Sequence, residues 1–175
     1  MVLDIRYYSY MVSLDYILLG LILVIGLLGF KKGFLESLGS IIGIIVAVII
    51  ASRYFPVVAT WFGDSNFSKV IAFILIFSVS IKIVSLMFWV FGKIFRIITI
   101  LPFVSSFDKL LGLILGLVEG IFVLSVILHF LLKYPLNDWL LWQMSISSVA
   151  SVLLVIGSVF VPLFPEALKS IKSAL

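Results

Sequence analysis

The sequence predicts an all-α integral membrane protein: four transmembrane helices plus a fifth, C-terminal apolar helix that either spans or lies at the interface. Three observations carry this reading. The chain is 64% hydrophobic and 11% charged, against about 45–50% and about 25% in ordinary soluble domains. With 175 residues, a soluble domain leaves too much surface wet to hide that excess. Four apolar runs reach the roughly 20 residues that a helix needs to cross a bilayer core. They are unbroken rather than alternating, which argues against a barrel.

The elements follow in order. Residues 1–13 form a short polar, aromatic segment containing Asp4 and Arg6. The first apolar run has no small-x-small cleavage site after it, so it reads as a retained span rather than a cleaved signal. Spans are expected at about 14–30, 34–55, 69–92 and 109–132, each near the required length. Residues 14–135 thus make a four-helix membrane domain, and 136–175 a membrane-associated helix and tail. Within that tail, residues 145–164 are uncharged and serine-rich, and close at Pro162 and Pro165.

The connections differ in character. Lys31, Lys32 and Gly33 form a tight basic hairpin between the first two spans. The second connection, with Pro56, Trp61, Gly63, Asp64, Ser65 and Asn66, is turn-rich and carries an interfacial aromatic. Residues 93–108 place Lys93 and Arg96 on one side of an apolar stretch that breaks at Pro102. Either a short helix on the membrane surface or a continuation of the third span accounts for it.

Orientation follows from the Lys/Arg bias of the loops. With five crossings and the N-terminus outside, the inside holds Lys31, Lys32, Lys93, Arg96, Lys109, Lys169 and Lys172. The outside then holds Arg6, Arg53, Lys69 and Lys133. With only four crossings the two tail lysines change sides and the bias disappears.

Helices in lipid gain little by burying apolar surface against each other, so small residues that allow close approach mark the seams. Gly39, Gly43, Ala47 and Ala51 make one stripe on the second span. Gly112, Gly116 and Gly120 make another on the fourth. These stripes are expected to pack against each other or against a second copy of the protein. Ser148, Ser151 and Ser158 form a similar packing face in the fifth segment.

Ionisable groups at membrane depth are costly and raise a functional question. Lys82 and Glu119 lie at matched depth on the third and fourth spans, about 15 Å from the same face. An intramembrane charge pair is expected, either structural or part of a gating or proton-coupled site. His129, the single histidine, reads as an interfacial anchor, with no second ligand to make a metal site. Asp15 and Asp108, with Ser13 and Ser106 beside them, are placed to cap the first and fourth spans.

The chemistry classes narrow quickly. There is no cysteine, so thiolate metal sites and disulfides are excluded. No phosphate loop, H-E-x-x-H or G-x-S-x-G is found, so no catalytic residues, metal or cofactor are expected and the protein is not read as an enzyme. The net charge of +4 is scattered, which suits a membrane surface and not a nucleic acid.

Residues 29–38, Gly-Phe-Lys-Lys-Gly-Phe-Leu-Glu-Ser-Leu, follow Asp15-Tyr16-Ile17 and precede Ala51-Ser52-Arg53-Tyr54. With Asp108-Lys109-Leu110-Leu111-Gly112, continuing through Gly116 to Glu119-Gly120, this resembles the colicin V production protein family over roughly residues 13–135. The resemblance implies a small multi-pass protein of the bacterial inner membrane, linked to production or export of a peptide toxin. It carries over no catalytic residues. The position before Gly120 is often basic in relatives, whereas here it is Glu119; the last segment is commonly amphipathic, whereas here it is apolar enough to cross. The functional expectation is an accessory or scaffold acting through the bilayer and other membrane proteins or a second copy. The alternative is a small channel or transporter using Lys82 and Glu119.

Overall fold

The computed structural model describes residues 11–98 and 104–163. Within them the helices are α1 Ser13–Lys32, α2 Phe34–Thr60, α3 Asn66–Ile98, α4 Val104–Lys133, α5 Asp138–Ile146 and α6 Ser148–Gly157. A 3₁₀ turn, Ser158–Leu163, follows α6. The first four helices are long and apolar enough to cross a membrane. Arg6, Pro102, Pro165, Lys169 and Lys172, on which parts of the orientation count and the segment ends rest, lie outside the described residues.

The second and third helices run further at their C-terminal ends than the sequence suggests. The second span continues through Pro56 to Thr60; proline forfeits one helical hydrogen bond there, and the preceding turns carry the helix on. Residues 93–98 continue α3 instead of opening a separate surface helix.

Chain direction and packing follow from short connections. A single residue, Gly33, joins α1 to α2, and its φ of 84° with ψ of 177° is open only to glycine. A side chain there would also collide with the Asp108 carboxylate. α2 packs along α3 and α1 along α4, while contact between α2 and α4 joins the two pairs. At the other end of the bundle the two long connections meet, where the Asn66 side chain donates to the Pro135 carbonyl at 3.1 Å.

The two small-residue stripes each find a different partner. Gly39 and Gly43 on α2 receive Phe88, Ile81 and Val84 of α3, and Ala47 and Ala51 are fully buried. Gly112, Gly116 and Gly120 on α4 pack on α1, where Gly29 Cα lies 2.9 Å from the position a Gly116 Cβ would take. The stripes therefore do not meet each other, because α1 and the hairpin that ends it contribute their own row, Gly26, Gly29 and Gly33.

α1 shows most plainly what surrounds the bundle. Its buried residues are Asp15, Leu18, Gly26 and Gly29, while Leu21, Leu23 and Leu27 are exposed. A helix that turns its glycines inward and its leucines outward is stable only in an apolar solvent.

The end opposite the hairpin is closed by aromatic rings. Phe73 stacks on Phe130 with centroids 3.9 Å apart, and Phe55 meets Phe130 edge-on at 5.0 Å. Phe77 and Tyr134 extend the cluster. Such pairs contribute about 0.5–1.5 kcal/mol each beyond their burial.

The fifth apolar segment divides at Ser147, where α5 and the α6 segment meet at 93°. Trp139 and Trp142 on α5 are exposed, as aromatic residues at a membrane interface are. α6 instead enters the bundle against α4 and α1, with Gly157 against the Ser125 carbonyl. The segment expected to span or to lie at the interface, residues 145–164, thus starts at the end of α5, bends at Ser147 and packs as α6 inside the bundle. The serine stripe is not a packing face: Ser148, Ser151 and Ser158 are all exposed, and Ser151 and Ser158 donate to backbone carbonyls one turn earlier.

The α5–α6 break is held by Asp15. Its carboxylate accepts from Val12 N at 2.9 Å, closing the start of its own helix. It also accepts from Ser147 Oγ and from Val149 N, so it caps α6 as well. Ser147 Oγ in turn accepts from Ala150 N at 2.9 Å. Asp108 departs from expectation: α4 begins at Val104, and the carboxylate accepts from Phe34 N at 3.1 Å. It caps α2 from a position a full turn inside the helix that carries it.

Candidate functional site: a charged cavity beside the basic hairpin

A cavity of about 440 Å³ lies among α1, α2, α3 and α4, lined among others by Lys31, Lys32, Glu36, Ser40, Lys82 and Glu119. Its apolar wall includes Ile25, Leu28, Ile81 and Val123. Ile81 and Val123 belong also to the core that contains the aromatic cluster. That core bounds the cavity on one side; Lys31, Lys32 and Glu36 lie towards the hairpin, and Lys82 and Glu119 lie deeper between the helices.

Helix geometry explains why these groups converge. Gly29 lies opposite Gly112 and Gly116, and Gly26 opposite Leu117, so Lys32 and Glu119 stand about two turns, or ~12 Å, apart in register. Side chains on a helix lean towards its N-terminus. α1 and α4 run in opposite directions, so Lys32 leans into the bundle and Glu119 leans out towards the hairpin. They meet: Lys32 Nζ lies 3.0 Å from Glu119 Oε1 and 3.1 Å from Oε2. The side chains are 15% and 7% exposed, so the pair is largely buried.

A hydroxyl chain extends it. Lys32 Nζ donates to Ser40 Oγ at 3.3 Å. The Ser40 and Ser85 hydroxyls are 3.1 Å apart, and Ser85 Oγ reaches the Glu36 carbonyl at 3.4 Å. Ser37, fully buried one turn away, directs its hydroxyl to the Gly112 carbonyl at 3.4 Å. These serines let α1, α2, α3 and α4 share polar contacts where backbones are closest.

The sequence-predicted residues are thus partly gathered. Lys31, Lys32, Lys82 and Glu119 line one cavity, but the Glu119 ion pair is with Lys32 and not with Lys82. The expected charge pair is replaced because the hairpin lysine reaches in along α1, whereas Lys82 stays exposed on α3. The sequence marks Lys32 as part of the basic hairpin and as a topology signal but not as the partner of Glu119, and it gives no sign of Ser40 or Ser85. The lean of a C-terminal lysine towards its own N-terminus was the signal that could have found the first. His129 is half-buried on α4, with Nδ1 making no hydrogen bond. Among the described residues no cluster of histidine, aspartate and glutamate is arranged to hold a metal.

The colicin V production protein family model matches residues 14–156. The chain belongs to that family. The match runs from the second residue of α1 to the penultimate residue of α6, and every residue lining the cavity falls inside it. Together with four helices able to cross a bilayer, membership identifies a multi-pass membrane protein. No curated protein and no solved structure is significantly similar to the chain. Within this family member, Glu119 answers a specific need: it neutralises the ammonium that the hairpin sends into the bundle.

Proposed function

We propose that the protein is a non-catalytic accessory or scaffold of the bacterial inner membrane, serving toxin production and export or envelope maintenance. Its N-terminus is outside and its basic hairpin faces the cytoplasm. The observation that carries this reading is the cavity that gathers Lys31, Lys32, Glu36, Lys82 and Glu119 among the four long helices, next to the aromatic core. Such a cavity suits holding a charged group. Short connections and backbone-to-backbone seams add the stiffness of a platform. Partner capture from mild detergent after crosslinking in cells tests it. Recurrent membrane partners are expected; a protein that always emerges alone, yet moves a solute when reconstituted, overturns it.

A second reading, a small transporter, draws support from Lys82 and Glu119 lining one cavity. It requires the Phe73–Phe130 stack to part. Flux in liposomes that is unchanged in Lys82→Leu and Glu119→Gln variants removes those residues from any transport mechanism.

A further inference from the structure

The cavity contains more positive charge than its own carboxylates balance. Three lysines, Lys31, Lys32 and Lys82, share it with two carboxylates, Glu36 and Glu119. Lys32 and Glu119 satisfy each other, which leaves Lys31 and Lys82 facing Glu36. Among the described residues neither ammonium makes an ion pair or hydrogen bond.

Lys82 is the more demanding of the two. Gly43 lies opposite Ile81 and Val84, which sets Lys82 about ten residues, or ~15 Å, below the hairpin end of α2. An unneutralised lysine near the bilayer centre costs about 2.5–3.5 kcal/mol on insertion scales. Its neighbours Val79, Ile83 and Leu86 are exposed apolar residues, so the cavity mouth beside it opens on the lipid-facing surface. Ser78, one turn before Lys82, lines the same cavity and adds a hydroxyl.

We propose that the cavity binds a phosphate-bearing anion, held between the Lys31 and Lys82 ammoniums with the Ser78 hydroxyl. One negative charge matches the surplus, and the several oxygens of a phosphate serve separated donors together, as a single amide or hydroxyl cannot. The volume of about 440 Å³ falls within the range of small-ligand sites. Basic pockets between transmembrane helices on the cytoplasmic side are where anionic headgroups are held. Leu28 and Ile25 offer an apolar flank for acyl chain beside the charges. The anion's two sources are an anionic lipid headgroup and a soluble phosphate. This inference goes beyond the accessory reading and does not depend on partner capture.

The test uses the full chain in phosphatidylcholine nanodiscs, with and without phosphatidylglycerol, and separately with inorganic phosphate. Native mass spectrometry reads bound lipid, and thermal unfolding reads either ligand. Retained phosphatidylglycerol, with affinity lowered about tenfold or more in Lys31→Gln and in Lys82→Gln, supports the lipid source. A shift with inorganic phosphate alone, lost in the same variants, supports the soluble source. Lys109→Gln, outside the cavity, is the control for general surface attraction and is expected to bind as the parent does. The proposal is overturned if neither ligand binds, or if Lys82→Gln and Lys31→Gln bind like the parent. It is equally overturned if Lys109→Gln loses as much as they do. Helical circular dichroism confirms that each variant is folded.

Discussion

Lys32 and Glu119 come from opposite ends of a two-turn offset and meet at 3.0 Å because their side chains lean in opposing directions. The contact fastens the basic hairpin to the middle of α4. Breaking a largely buried pair leaves one charge uncompensated, at about 3–5 kcal/mol. Lys32→Met and Glu119→Leu, made singly, are each expected near the low end, since the pair borders a cavity. The double variant is expected within about 1 kcal/mol of the parent. Thermal or denaturant unfolding in detergent supplies the cycle, and a double variant no better than the singles refutes the coupling.

The α1–α4 seam is expected to be intolerant of side chains. Gly116→Val thrusts a branched group at Gly29 Cα, 2.9 Å from its first carbon, and is expected to cost at least about 1–3 kcal/mol. Gly20 has nothing within 4 Å of a Cβ, so Gly20→Ala is expected to be neutral or to stabilise by up to about 1 kcal/mol. Equal effects at the two positions in a melting experiment rule out the seam as the cause.

Asp15→Asn keeps the shape of the side chain but withdraws charge from the N-terminus of α6. A loss of about 1–2 kcal/mol is expected, felt locally. Hydrogen exchange should accelerate across residues 147–157 while the α2–α3 pair stays protected. Ser147→Ala, which loses one donor and one acceptor of the same junction, should do likewise to a lesser degree. Uniform acceleration throughout the chain contradicts a local latch.

The absence of cysteine makes the protein its own labelling background. Single cysteines at Asp64 and Leu136 are expected to react with an impermeant maleimide on intact cells. One at Lys31 is expected to react only after the membrane is opened. The reverse pattern inverts the proposed orientation; a shared pattern contradicts the long connections lying opposite the hairpin.

Helix number, the hairpin and the small-residue stripes were legible because apolar length and glycine spacing are local properties of sequence. Partner choice was not. The α4 stripe packs on α1, whose Gly26 and Gly29 sit among leucines three residues apart and so lack the regular spacing of four that marks the other stripes. Glu119 took Lys32 over Lys82 through side-chain lean and reach, which depth alone does not reveal. Asp108 capping α2 depended on α4 starting at Val104, a full turn earlier than the apolar run implies. The break at Ser147 was hidden because both sides of it are apolar.

The Asp15 latch has a consequence for biogenesis. Its nearest donor, Val12 N, emerges beside it from the ribosome, but Ser147 is 132 residues away. Throughout the insertion of α1, α2, α3 and α4, this carboxylate waits at the edge of the lipid for a partner not yet synthesised. Until α6 arrives, translocon, water or a membrane insertase must shelter it. Docking of α6 is therefore also the moment at which the first helix is finally secured.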